Sequence, residues 1–128
     1  MPLFVFRENK FASASSSWFI VSAPHDPIIT LTRDLLFQYW LDYDYLMHYF
    51  LFHMFLKMAT EVFPEEWSAV PFFSNIGPHK MQRSMYKDYT EERMKYFASI
   101  SDFHKLTYKS RIPSPSSIFQ HVIDTYLK

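Results

Sequence analysis

Asp42-Tyr43-Asp44 is an Asp-x-Asp, the arrangement in which two hard carboxylates share a divalent cation with a diphosphate. A competent motif of that kind ends a buried strand. Here it joins two helical patterns, so it reads first as capping and solvated residues, with Asp44 placed to cap the second helix. Six histidines invite a zinc reading. His48 and His53, however, lie about 140° apart round a helix and do not converge. Asp44 and His48 share a face, but two ligands do not make a zinc site. No nucleophile elbow accompanies the serines, histidines and aspartates. Lys105, Lys109 and Arg111 beside His104 fall short of a nucleic-acid stripe. Residues 75–79 (NIGPH) concentrate the most chemistry: Gly77 frees the backbone, Pro78 stiffens it, and Asn75 and His79 can meet a metal or phosphate. The plain reading is a surface turn; the sharper one is a ligand loop.

Composition narrows the classes. The formal net charge is +0, so no global field draws nucleic acid or an acidic surface. Cysteine is absent, which removes disulfide and thiol chemistry and fits a reducing compartment. The N-terminus does not resemble a secretory signal. One glycine among 128 residues cannot furnish a glycine-rich phosphate loop. At this length one domain is expected over residues 1–128.

The elements that must position these groups follow from periodicity. Residues 46–63 (LMHYFLFHMFLKMATEVF) have no Gly or Pro and are apolar on three faces, with only His53, Lys57, Thr60 and Glu61 as a polar strip. That predicts a central helix, the most buried in the fold. Its 18 residues carry too many polar groups to span a bilayer. Leu3–Phe6 reads as a buried strand, residues 11–17 (FASASSS) as a hydroxyl-rich loop, and residues 18–21 as an apolar run. Asp26-Pro27 starts a helix to about Leu41. Pro64 ends the central helix, and one more turn follows with Trp67 inward. Residues 71–80 are irregular. Thr90 caps a helix from Glu91 to about Ile100, and residues 103–108 form a short strand. Residues 110–117 are a linker before a terminal helix started by Ser114 and Pro115.

Residues 16–29 (SSWFIVSAPHDPII), LFQYW, YFLFHMF, residues 71–82 (PFFSNIGPHKMQ) and FHKLTYK together resemble, in order over nearly all of residues 2–109, the capsular polysaccharide synthesis proteins. These are bacterial relatives of the family 32 glycosyltransferases. The resemblance implies an α-rich α+β fold, mostly helices with a few short strands, corresponding to the C-terminal half of a GT-A, Rossmann-like nucleotide-sugar transferase. It implies retaining, Mn- or Mg-dependent transfer from a nucleotide-sugar donor to a glycan acceptor, in the cytoplasm or at the inner face of the membrane. In relatives the Asp-x-Asp lies upstream of the strand that Leu3–Phe6 resembles, so the chain is expected to be inactive alone and to pair with the missing half. His79 matches the late metal-site histidine. Ser16, Ser17, Trp18 and Asn75 match donor-binding positions, as do His104 and Lys105 at the diphosphate. His48 stands where an acidic catalytic residue is expected. The alternative is a non-catalytic interaction module, a truncated remnant that self-associates or lies on a membrane surface. A missing half also implies exposed apolar surface near residues 3–6 and 18–21.

Overall fold

A computed structural model describes residues 3–7, 15–107 and 112–127. Residues 11–14 of the expected loop, together with Tyr108, Lys109, Ser110 and Arg111, lie outside the described residues. The chain divides into two compact units, Met1–Ser74 and Asn75–Lys128. Among the described residues, 54% lie in six helices, against one two-stranded antiparallel sheet, which is the helix-over-strand balance the periodicity implied.

In the first unit, β1 (Leu3–Arg7) pairs with β2 (Ser15–Ser22). Side chains alternate across a strand, and both faces of β1 are covered. Leu3 and Val5 enter a core with Ile28, Leu56, Ala59, Trp67 and Val70. Phe4 and Phe6 meet a ring cluster with Trp18, Phe19 and Phe73. The apolar exposure expected at residues 3–6 is therefore absent; all four are buried.

Helix α1 (Pro27–Asp42) begins where the local chemistry put it, with Asp26 accepting from Ile29 N at 3.0 Å and Pro27 in the first turn. The chain reaches that cap through His25, at φ 62°, a left-handed conformation that histidine adopts more readily than most residues. Ile28, Thr32 and Tyr39 face inward.

Helix α2 (Leu51–Val62) corrects the central-helix expectation twice. It starts five residues later than Leu46, and it is apolar inward on one face only. Leu51, Leu56, Ala59 and Thr60 are buried, while Met54, Met58 and Val62 are 46%, 48% and 60% exposed. Side chains capture the backbone ahead of it. Tyr39 Oη donates to Tyr45 O at 2.6 Å and accepts from Met47 N at 2.9 Å. His48 Nδ1 accepts from Phe50 N at 3.0 Å. Those groups are then spent outside a helix. Tyr39→Phe removes both bonds and strands the groups they satisfied, so it should cost about 1–3 kcal/mol. Urea unfolding read by tryptophan emission measures it, since Trp18, Trp40 and Trp67 all lie in this unit. A midpoint unchanged from wild type would show that the link does not depend on the hydroxyl.

Asp44 caps nothing: the N-cap of α2 is Phe50, with no side-chain cap bond. Asp44→Ala should therefore be nearly neutral, within about 0.5 kcal/mol, rather than costing a cap. Helix α3 (Pro64–Ala69) is the expected extra turn, with Trp67 buried.

The second unit holds α4 (Ile76–Ser84), α5 (Glu91–Ile100) and α6 (Ile118–Tyr126). Residues 76–80, expected to be irregular, open α4. Thr90 caps α5, its side chain accepting from Arg93 N. Helix α6 starts three residues later than expected: Ser117 is the cap, accepting from Gln120 N. An isolated bridge between Asp88 and Ser117 fixes that start. Residues 103–107 form no strand; Lys105 N instead donates to Pro78 O at 3.1 Å. The core is Met81, Met85, Phe97, Ile118 and Val122.

Candidate functional site

Ser16, Ser17 and Trp18 sit in a distortion of the sheet. Val5 pairs with Ile20 and Arg7 with Ser15, so Ser16, Ser17, Trp18 and Phe19 all stand opposite Phe6 alone. Bulges of this kind re-aim side chains and recur beside active sites. Ser16 is buried, Ser17 exposed, and Trp18 half-buried and stacked on Phe6 at 5.3 Å with the rings 6° from parallel. The serines expected in a loop are strand residues here. The register closes on Arg7, which is buried with its guanidinium 4.4 Å from the Trp67 ring centroid and Nη2 donating to Val70 O at 2.6 Å.

In the second unit the structure brings Asn75, His79, His104 and Lys105 into one neighbourhood. Asn75 is the N-cap residue of α4, and its carbonyl accepts from His79 Nδ1 at 2.7 Å. A carbonyl only accepts, so the neutral ring carries its hydrogen on Nδ1 and its lone pair on Nε2. That is the orientation a backbone carbonyl gives to a metal-ligating imidazole. The Pro78–Lys105 backbone bond ties residues 104–105 against the same helix. Ser16, Ser17 and Trp18 belong to the first unit.

Gly77 is required for proximity, not for a turn. It lies within α4, and a Cβ there would meet Ile100 O at 3.0 Å and Ser101 Cβ at 3.6 Å.

His48 is exposed in the link, and its Nδ1 accepts a backbone hydrogen. In that tautomer its own hydrogen is on Nε2, where the ring can donate a hydrogen bond. Asp42 accepts from Gln38 at 3.0 Å on the outside of α1. Among the described residues no three His, Asp or Glu side chains gather as a metal set. His79 has a carbonyl to orient its ring, but alone it is too few ligands for Mn or Mg.

His53 and His104 have Nδ1 atoms buried from solvent. Burial pulls both below the usual 6.5; a backbone bond to Ser15 opposes this at His53, and Asp102 and Ser101 oppose it at His104. With the folded value depressed, the unfolded chain binds the proton more readily. Stability is thus fully present above about pH 6.5 and falls as pH drops toward the folded values. Urea midpoints should fall between about pH 7 and about pH 5, and His104→Gln should flatten the decline in the second unit. A midpoint that rises on acidification would reverse the sign.

Sequence reasoning passed over Met81, Met94 and Phe97, whose clustering beside His104 had only a faint signal, methionines at 81, 85 and 94 near a helical stripe.

No helix among the described residues is long and apolar enough to cross a membrane. No curated protein and no solved structure matches the chain. A sequence model of the capsular polysaccharide synthesis protein family matches residues 1–126. The order of its segments and the extent of that match agree: this chain belongs to the capsular polysaccharide synthesis protein family.

Proposed function

We propose that the chain is part of a retaining sugar transferase of capsule or surface-polysaccharide synthesis, of the GT-A type, moving a sugar from a nucleotide-sugar donor to a glycan acceptor. The family match over residues 1–126 carries this reading. Ser16, Ser17 and Trp18 border the donor sugar, and the stacking of Trp18 on Phe6 supports a fixed wall there. Asn75, His79 and Lys105 serve the donor's diphosphate. The Asn75 carbonyl sets the His79 ring, and the ammonium of Lys105 supplies a point charge for phosphate oxygens. His104, expected at the diphosphate, has its ring on an apolar groove instead. His48 offers a hydrogen-bond donor on the acceptor side. Mn or Mg, when bound, neutralises the diphosphate leaving group. His79 would contribute to holding it, its ring oriented by the Asn75 carbonyl. On this reading the chain works in the cytoplasm, at the inner face of the membrane.

Calorimetry with a panel of nucleotide sugars, with and without Mn, tests it. Saturable binding that weakens in His79→Ala, with the unfolding midpoint kept, is the expected result. No binding by any donor would reject a donor-site role for this chain, and equal losses in binding and stability would make His79 structural.

A second reading rests on a different observation. Trp40, Leu41, Tyr43, Tyr45, Leu46, Met47, Tyr49 and Phe50 are all exposed, an apolar display on the α1–α2 link, and such patches commonly mark interfaces. It describes a non-catalytic module that self-associates or lies against another surface. Sedimentation separates the two: concentration-dependent association lost in Tyr49→Ser with Phe50→Ser, and no donor binding, would favour the module.

A further inference from the structure

The second unit carries a cleft of about 280 Å³ between the chain at Tyr89 and the first two turns of α6, near the lower end of the range that holds a small molecule. Its walls are Tyr89, Pro115, Ser116, Ser117, His121 and Asp124. Ser117, His121 and Asp124 recur at i, i+4 and i+7, which sets them on one side of α6. Backbone bonds fix the opposite wall. Tyr89 N donates to Ser116 O at 2.7 Å, and Ile118 N to Lys87 O at 2.9 Å. The Ser116 hydroxyl also donates to Asp88 Oδ1 at 2.8 Å. The cleft is therefore built before a ligand arrives. The rings of Tyr89 and His121 are stacked, with centroids 3.8 Å apart and planes 20° from parallel. That stack covers one face of the phenol, yet Tyr89 remains 37% exposed and Asp124 is exposed, so a ligand in the cleft can touch both.

We propose that this cleft binds one neutral saccharide unit, its C–H face against the Tyr89 ring and its hydroxyls bonded to His121 and Asp124. The inference goes beyond the donor site and does not depend on nucleotide-sugar binding. Three features choose the ligand. The face of an aromatic ring is negative and attracts the weakly positive hydrogens of a sugar's C–H face. A sugar hydroxyl both donates and accepts, which answers a neutral His121 ring, with one nitrogen of each kind, and the accepting carboxylate of Asp124. A cation would use the carboxylate and the ring face but has no acceptor for a histidine hydrogen. No Lys or Arg lines the cleft, and Arg93, which donates to Asp88 O, stands outside the lining. The Asp124 carboxylate then repels phosphate and carboxylate ligands.

The full chain is titrated with methyl β-glucopyranoside, methyl β-galactopyranoside and methyl α-mannopyranoside, following the His121 ring by NMR. Choline, phosphate and uridine serve as the cation, the anion and the planar stacker. Saturable shifts with at least one glycoside are expected in the millimolar range, with weaker binding or none by the other three. Tyr89→Phe should keep glycoside binding and Tyr89→Ala weaken it about tenfold. Asp124→Ala should also cost about tenfold, for one charge-assisted hydrogen bond. Asp124 is exposed on α6, so this variant stays native by circular dichroism and decides the case even where Tyr89→Ala unfolds. Three results would overturn the proposal. They are no saturable shift with any glycoside, choline, phosphate or uridine binding as tightly as the best glycoside, and glycoside binding that Asp124→Ala leaves unchanged. Glycoside binding by a protein that takes no nucleotide sugar would uphold this cleft while rejecting the donor reading.

Discussion

Leu56→Ala should lower the stability of the first unit by about 3 kcal/mol, the usual range for emptying a fully buried leucine being about 2–5. Leu56 is 0% exposed and packs with Leu3, Val5, Ile28 and Trp67. Those neighbours come from a strand and two other helices, which restricts how far the site can collapse onto the missing atoms. Met58→Ala is the matched control. It lies on the same helix with 48% exposure, and its loss should stay within about 0.5 kcal/mol. Urea unfolding followed by tryptophan emission reads both, since every tryptophan is in this unit. The pair decides which face of α2 is inward. Comparable losses at the two positions would restore a helix buried on several sides.

The second large effect belongs to Gly77→Val, expected to cost the second unit about 2 kcal/mol through overpacking. The clash is with backbone: Ile100 O lies 3.0 Å from the position a Cβ would take, at the end of α5, and a carbonyl yields less easily than a side chain. Gly77→Ala should cost less, because the gain in helix propensity of up to about 1 kcal/mol opposes the contact. Hydrogen exchange of the α4 and α5 amides measures both. Protection in Gly77→Val equal to wild type would mean that the helices do not need this approach.

What could be read in advance was what local chemistry decides. Asp26-Pro27 and Thr90 start α1 and α5 because a cap is satisfied within three residues of itself. The start of α2 was illegible for the opposite reason. It depends on Tyr39 Oη, which holds Tyr45 and Met47, and a hydroxyl six and eight residues upstream leaves no trace in periodicity. Ser114, Ser116 and Ser117 are equivalent as candidate caps by composition; the pairing with Asp88 chooses Ser117. Residues 103–107 had strand-like composition but no partner strand, so their backbone went to Pro78. At the candidate site, the concentration of Asn75 and His79 in one short segment was visible. Their four-residue spacing on a helix was not, because the prolines and the glycine of residues 71–80 read as irregular where α4 opens. Nor was the sheet bulge at Ser16, Ser17 and Trp18, since a register shift depends on which residues of β1 they meet.

Arg7 carries a consequence for synthesis. Its backbone N donates to Phe73 O at 2.9 Å, its guanidinium reaches Val70 O, and its charged plane lies on Trp67. Every one of those partners is made at the far end of the first unit, about sixty positions later. A chain growing on the ribosome therefore carries β1, whose five residues are all buried in the finished unit, through most of the unit's translation without its closing contacts. Folding of this unit should begin only once residue 73 has left the exit tunnel. Until then the strand LFVFR is the segment a nascent-chain chaperone would hold, and arrest of translation between residues 42 and 67 should give the species most prone to aggregate.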